Sequence, residues 1–473
     1  MRTQHLHPCI VIGVFLLPVL LSSSAWAQNL RYDNHREVAV PEYATIQLGP
    51  FHSSWAVLLS GGYRYVNTTG AGTDFLFSGS RGRLREDGPD FPIIIGLDTR
   101  NYLVIGPHTD LDVSVGIRYE YYPLDTQDDE FRVFLPGEGI NANLSMEISP
   151  VPYLRMRLWD GFGWQTDYID TRGIEDRYGG QRFENISNTI GLDGDLLLAE
   201  RHNLGFGGSR ADLWALDDGW EEQSRVTLSG HLLYEYELAE YMIVGLRAGL
   251  SETDYTESDR PTSLINNYRL MLDTRLTEQT SASVFVGQAN GTISGSENSI
   301  EEISTEIYGA GLQTHLSPKL QHGFSFAHGL RTGYTSSLEE FDLFRYDIRW
   351  TGDVSQWNLY TGWQARDPSA TNSNGYTDWT SGLLFEVPLV PAVSLVGSIR
   401  YNERSNDEEA AVLDPELSGD YATMAYKLGT VLSLTDELKL TASAERIERN
   451  GDNDELDYTR DILSIMLTCR HEL

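Results

Sequence analysis

Eleven arginines in this chain sit at alternate positions between apolar neighbours: Arg64, Arg118, Arg155, Arg157, Arg247, Arg269, Arg275, Arg331, Arg345, Arg349 and Arg400. Acidic residues occupy equivalent positions, namely Asp98, Asp112, Glu120, Asp193, Asp195, Asp273, Asp347, Asp378 and Glu386. Rows of guanidinium and carboxylate groups can act in two ways. Lining a water-filled passage, they set which solutes pass, and basic rows would contact an anionic or hydroxyl-rich solute. Facing one another across neighbouring strands, they form ion pairs that stiffen a wall. Either use requires one continuous polar face. The candidates for a lumen-facing set are therefore Arg64, Arg118, Arg155, Arg157, Arg247, Arg269, Arg275, Arg345, Arg349, Arg400, Asp112, Glu120, Asp273 and Asp347.

Other chemistry is poorly served. The acidic runs Asp128-Asp129-Glu130, Asp407-Glu408-Glu409 and 452–457 offer hard oxygen ligands of the kind divalent cations prefer. The last lacks the glycine and distal glutamate of an EF-hand loop, and solvated surface charge is the simpler reading. No nucleophile elbow, HExxH pair or glycine-rich phosphate loop occurs. His231 and His315 fall on the polar face, yet no serine or acid is marked out as their partner. The expectation is no catalytic residue, no metal and no cofactor. The two cysteines are Cys9 and Cys469, and Cys9 lies in a segment expected to be removed, so no disulfide can form in the mature chain. Sixty-nine acidic against 35 basic residues give a net charge of −34, which argues against a nucleic-acid partner.

The elements that must position these charges are strands. Residues 111–121 (LDVSVGIRYEY) put Leu111, Val113, Val115, Ile117, Tyr119 and Tyr121 on one face and Asp112, Ser114, Gly116, Arg118 and Glu120 on the other. Residues 55–65, 242–250, 268–276, 344–350 and 438–444 repeat the pattern, and it continues to the C-terminus. The first 27 of the 473 residues differ: Arg2, then the apolar run 9–21, then Ser-Ser-Ser-Ala-Trp-Ala up to residue 27. That is the layout of a cleavable signal peptide, too short for a membrane anchor. No later segment approaches the ~18 apolar residues of a spanning helix. If the mature chain enters a membrane, only a closed sheet satisfies its backbone there.

Loop lengths also alternate. Short connections at 107–109, 150–152, 200–202, 277–279, 317–319, 388–391 and 435–436 are interleaved with long polar ones at 68–90, 125–138, 253–261, 402–420 and 449–456. Short turns on one rim and long loops on the other characterise outer-membrane barrels, the turns being periplasmic. Aromatic residues gather near expected strand ends, with Tyr63, Tyr65, Tyr119, Tyr121, Trp164, Tyr168, Trp363, Trp379 and Tyr401 on the loop side and Tyr234, Tyr236 and Trp357 on the turn side. The expected fold is an all-β transmembrane antiparallel up-and-down barrel of about 18–20 strands. Its parts are a signal peptide (1–27), a polar periplasmic lead-in (28–52) and the barrel (53–473). Three features fit less well. Asp160 falls on the apolar face, where a bulge at Gly161 and Gly163 would turn it inward; residues 203–210 make a weak strand; and His322 and His328 share a face with Phe324 and Phe326.

Three hairpins, at 234–255 (YEYELAEYMIVGLRAGLSETDY), 269–288 and 425–448, share a form: an alternating strand, a tight turn, and a return strand with Arg or Tyr near its loop end. In this the chain resembles the outer-membrane β-barrel porin 2 family, a group linked with exopolysaccharide production. The resemblance spans most of the mature chain through pattern rather than a fixed motif, and carries no catalytic residue. It implies an outer-membrane conduit for polysaccharide export, working with a periplasmic polysaccharide-export protein. Expected partners also include outer-membrane lipid, lipopolysaccharide and the barrel-insertion machinery. Two other readings stand beside it: a general or selective uptake porin for small hydrophilic solutes, and a plugged structural or enzymatic barrel.

Overall fold

The computed structural model describes residues 45–70, 88–124, 130–134, 142–168, 182–216, 221–258, 260–294, 300–332, 338–368, 375–406, 420–452 and 457–472. The signal segment, residues 28–44 of the lead-in and the acidic runs at 128–129, 407–409 and 453–456 lie outside these residues. Among the described residues no helix is long and apolar enough to cross a membrane, and the helical part is a single 3-10 turn, Glu221–Gln223.

Alternating sequence becomes strand throughout. In order these are β1 (Ile46–Leu48), β2 (Phe51–Thr69), β3 (Gly88–Asp90), β4 (Ile93–Gly106), β5 (Thr109–Tyr121), β6 (Glu130–Phe134), β7 (Ala142–Val151) and β8 (Leu154–Tyr168). Next come β9 (Arg182–Ala199), β10 (His202–Ala215), β11 (Arg225–Ala239), β12 (Met242–Tyr255), β13 (Thr262–Thr277), β14 (Thr280–Ser294), β15 (Ile300–Ser317) and β16 (Leu320–Arg331). The last are β17 (Glu339–Thr351), β18 (Gln356–Pro368), β19 (Tyr376–Val390), β20 (Val393–Asn406), β21 (Tyr421–Ser433), β22 (Leu438–Gly451) and β23 (Tyr458–Glu472). Apart from the short pieces β1, β3 and β6, twenty strands each pair antiparallel with their sequence neighbours. The circle closes where β2 meets β23, from Ala56 opposite Glu472 to Thr69 opposite Thr459. Closure leaves no open edge, which is what allows a sheet to stand in hydrocarbon.

One rim carries only tight connections, for example residues 107–108, 200–201, 240–241, 278–279 and 391–392. Both ends of the barrel-forming chain return to this rim, as an even strand number requires. The outer surface between the rims is apolar and open. Leu59, Ile95, Leu232, Leu246, Val286, Leu428 and Ile465 are each more than half exposed, and exposed Tyr63, Tyr119, Trp214, Tyr268, Trp350 and Trp379 lie on the same side. A water-soluble protein would turn such rows inward as a core; here they form the band that touches lipid, with aromatic residues at its margins. The chain is an outer-membrane β-barrel.

The structure departs from the sequence reading at four places. The wall begins at Phe51 rather than residue 53. Residues 51–53 pair with β4 on one side and with β1 on the other, through a turn at Gly49 whose φ of 63° favours glycine. The connection 125–138 is not wholly loop, because β6 returns beside the upper part of β5, Gly116 to Glu120, where the shorter β7 does not reach. The segment 203–210 is a full strand paired on both sides from Asn203 onward; its glycines leave room for large neighbours, and the Phe206 ring fills the place where Gly194 would carry a Cβ. No bulge turns Asp160 inward, since β8 and β9 keep register from Leu154 to Tyr168. Asp160 stays on the outer face, where the Asn188 amide donates to its Oδ1 at 3.1 Å. Nearby on that face Arg210 grips Asp212 through Nε (2.9 Å) and Nη2 (2.8 Å).

Candidate functional site

The inner wall holds the charges. Strand alternation places Arg64, Arg118, Arg155, Arg157, Arg247, Arg269, Arg275, Arg345, Arg349 and Arg400 on the face opposite the exposed apolar residues, together with Asp112, Glu120, Asp273 and Asp347. Many of their cross-strand neighbours are small or neutral. Arg345 lies between Ser325 and Gly362, Arg349 between Gln321 and Asn358, and Arg400 between Gly382 and Ala425. Arg247 stands directly across from Arg269. A strict ladder of alternating charge would pair each base with an acid, and this arrangement does not. Arg345 and Arg400 lie beside glycine, whereas Arg155 faces Asp195 and Arg157 stands between Glu147 and Asp193.

Two charged regions result. The first runs across β7–β13 toward the turn rim. Arg155 Nη2 meets Glu147 Oε2 at 2.5 Å, and Arg157 Nε donates to Ser145 Oγ at 2.9 Å. Trp159 points inward, its ring lying over Gly191 and its Nε1 donating to Asp193 Oδ2 at 2.7 Å. Asn203 Nδ2 donates to Glu235 at 3.1 Å, and buried Arg269 lies over the Phe285 ring at 5.3 Å. On the far side of the closure, Arg470 Nη1 approaches Asp98 Oδ2 at 3.4 Å.

The second region spans β16–β23 near the loop ends and includes residues the sequence reading missed. Asp378 accepts from Arg404 Nε (2.8 Å), from Arg404 Nη2 (2.7 Å) and from Gln364 Nε2 (2.8 Å). The Arg404 guanidinium stacks 3.8 Å from the Tyr376 ring centre and 5.9 Å from that of Tyr421. Arg449 continues the stack, 4.2 Å from Tyr421 and 5.3 Å from Tyr458. Arg366 lies 5.0 Å from Tyr376. These arginines are almost wholly buried, Arg449 at 1% exposure and Arg404 at 3%. Basic side chains enclosed to that degree need acids, hydrogen bonds or aromatic faces around them, and the six strands β18–β23 supply alternate Arg and Tyr here. The sequence signal existed: continuing the alternation of Ser398, Arg400 and Asn402 leads to Arg404, and that of Ser443, Glu445 and Ile447 leads to Arg449. The expected loops began too early, at 402 and 449.

The interior is not polar throughout. Pairing between β15 and β16 stops at Tyr308 opposite His328, although β15 runs on to Ile300. Beyond that point the end of β16 lies across the inner face of β13 and β14. Leu330 and Leu338 pack on Ile265, Ile293 and Ile303, and Ser263 Oγ meets Thr332 Oγ1 at 3.3 Å. A second apolar patch joins Val66, Ala425, Ile447, Tyr458 and Ile462. At this end of the wall Arg331 lies directly across from Glu339 of β17, which pairs on its other side with the strand that carries Arg366. Of the histidines singled out, His328 faces outward, stacked on Tyr308 with Nδ1 2.9 Å from Asp342. His231 lies on the inner wall across from Gly207 and Gly249. Among the described residues no group of three or more His, Cys, Asp or Glu is placed to hold a metal ion.

No protein family matches the chain by sequence, and no curated protein does. Solved structures do match in fold. The FrpB iron transporter of Neisseria meningitidis (F3-3 variant) superimposes with a TM-score of 0.51 at 8% identity, over 88% of this chain and 81% of that one. The apoprotein form of its F5-1 variant gives 0.50 at 8% identity, over 88% and 81%. The copper transporter OprC gives 0.50 at 9% identity, over 90% of this chain and 81% of that one. At such identities the likeness is one of architecture alone, that of a large β-barrel.

Proposed function

We propose that this barrel is an outer-membrane conduit whose cargo is an exported polysaccharide, delivered by a periplasmic export partner at the turn rim. One observation carries the reading. The charged and aromatic groups of the inner wall are spread along two staggered regions, low on β7–β13 and high on β16–β23, rather than converging on one deep pocket. A polymer that slides needs many weak contacts in succession, since a single tight site would hold it. Arginine forks and exposed carboxylates suit hydroxyl-rich chains, each contact modest because water competes. The resemblance to the porin 2 family points the same way. The architectural match to the barrels of an iron transporter and a copper transporter favours a second reading, inward passage of small solutes through the same wall.

Deleting the gene and measuring surface polysaccharide separates the two. Export predicts a loss of surface polymer with periplasmic accumulation; unchanged polymer, together with slowed uptake of small solutes, would overturn it.

A further inference from the structure

We infer that Arg331 and Arg366 form a site for one oxyanion group (carboxylate, sulfate or phosphate) borne by the solute; this rests on the interior being the solute's path. Arg366 is enclosed, its side chain 6% exposed, yet its Nε and Nη2 meet no hydrogen-bond acceptor. Those two nitrogens form one edge of the guanidinium fork, the edge that fits a carboxylate or phosphate with two parallel hydrogen bonds. Arg331 Nη2 is likewise without an acceptor. The acid shared by the pair is Glu339, which accepts from Arg331 Nε and lies 4.0 Å from Arg366 Nη1. Two bases on one acid leave a single positive charge.

The neighbours do not cancel it. Asp378 is engaged by Arg404 and Gln364. Phe341 offers Arg331 a ring face at 4.8 Å and Tyr376 offers one to Arg366 at 5.0 Å; such faces attract a cation but leave the in-plane N–H groups unmet. Enclosed donors without acceptors are costly, and here two nitrogens of one guanidinium edge and a third from its neighbour are left without one. Arg331, at 21% exposure, marks the side from which an anion reaches the pair. Glu339 tempers the attraction, so the bound group can leave again. The cargo is therefore expected to carry acidic groups.

The test uses the purified full-length barrel in planar bilayers, with trigalacturonate, sodium sulfate and sodium phosphate as anionic probes and maltotriose as a neutral one. Trigalacturonate should block the current at a concentration at least ~10-fold below maltotriose, since one fully formed charged contact is worth at least that factor. Arg366→Gln should raise its half-blocking concentration about 10-fold, and Glu339→Gln should lower it, because the surplus grows. Block by sulfate or phosphate with none by trigalacturonate would assign the site to small inorganic anions. Block by trigalacturonate that neither substitution changes would overturn the site while leaving the conduit in place. Should Arg366→Gln fail to assemble, Glu339→Gln decides alone, and unchanged or weaker block refutes the inference. A wild-type barrel that passes no current would refute the conduit. The site is then read by titrating the detergent-solubilised protein with sulfate, where binding insensitive to Arg366→Gln overturns it.

Discussion

Replacing Asp378 by alanine should destabilise the barrel by about 3 kcal/mol, and the structure says why. Asp378 and Arg404 are each 2% exposed in their side chains, and the carboxylate accepts three hydrogen bonds of 2.7–2.8 Å. Removing one member of a buried pair strands the other charge, at a cost of roughly 3–5 kcal/mol. Arg404 keeps its stacking on Tyr376 and Tyr421, which offsets about 1 kcal/mol. The double substitution Asp378→Leu with Arg404→Met should recover most of the loss, because an apolar pair of similar volume avoids desolvating either ion. It should stop about 1 kcal/mol short of wild type, the share of the lost ring contacts. Urea titration of the barrel folded into lipid vesicles, followed by gel mobility without heating and by tryptophan emission, measures both variants. If Asp378→Ala shifts stability by less than ~1 kcal/mol, the loop-side interior is wet and the pair behaves like a surface salt bridge. The enclosure on which this reasoning rests would then be wrong.

Two further perturbations test the wall itself. Val286, more than half exposed on the outer face at mid-strand, should tolerate lysine poorly, losing about 2–4 kcal/mol in vesicles, whereas lysine at inward-facing Ser283 three residues away should cost under ~1 kcal/mol; equal losses at the two sites in the same urea titration would refute the assignment of faces. Gly191→Ala would put a Cβ 2.4 Å from the Trp159 ring, forcing the indole off Asp193 at a cost of about 1–3 kcal/mol, and wild-type stability in this variant would show that the ring does not lie there.

Alternation of side chains and alternation of loop lengths together made the architecture legible in the sequence. A strand's side chains point to opposite faces by geometry, so Leu, Val and Tyr at every second residue with Arg, Asp and Ser between them define a two-faced ribbon. Short connections alternating with long ones turned the ribbon into hairpins with distinct rims. The strand ends were less legible. Above the lipid the outer face no longer needs to be apolar, as at Glu403 and Ser405 beside Arg404, so the hydrophobic signal stops while the hydrogen-bonded ladder continues.

Partnership was decided only by the tertiary structure. Alternation says that Arg331 and Arg366 face inward, but they are 35 positions apart, and the register of β17 between β16 and β18, with Glu339 opposite Arg331 on one side and Pro368 on the other, is what puts Glu339 between them. Likewise Tyr376, Arg404, Tyr421, Arg449 and Tyr458 become one stack because five strands happen to share a register at that height. Which face a residue takes is a local property of the backbone, written every two residues. Which charge it meets depends on register and on the bending of whole strands, and these are settled by packing among residues far apart in the chain.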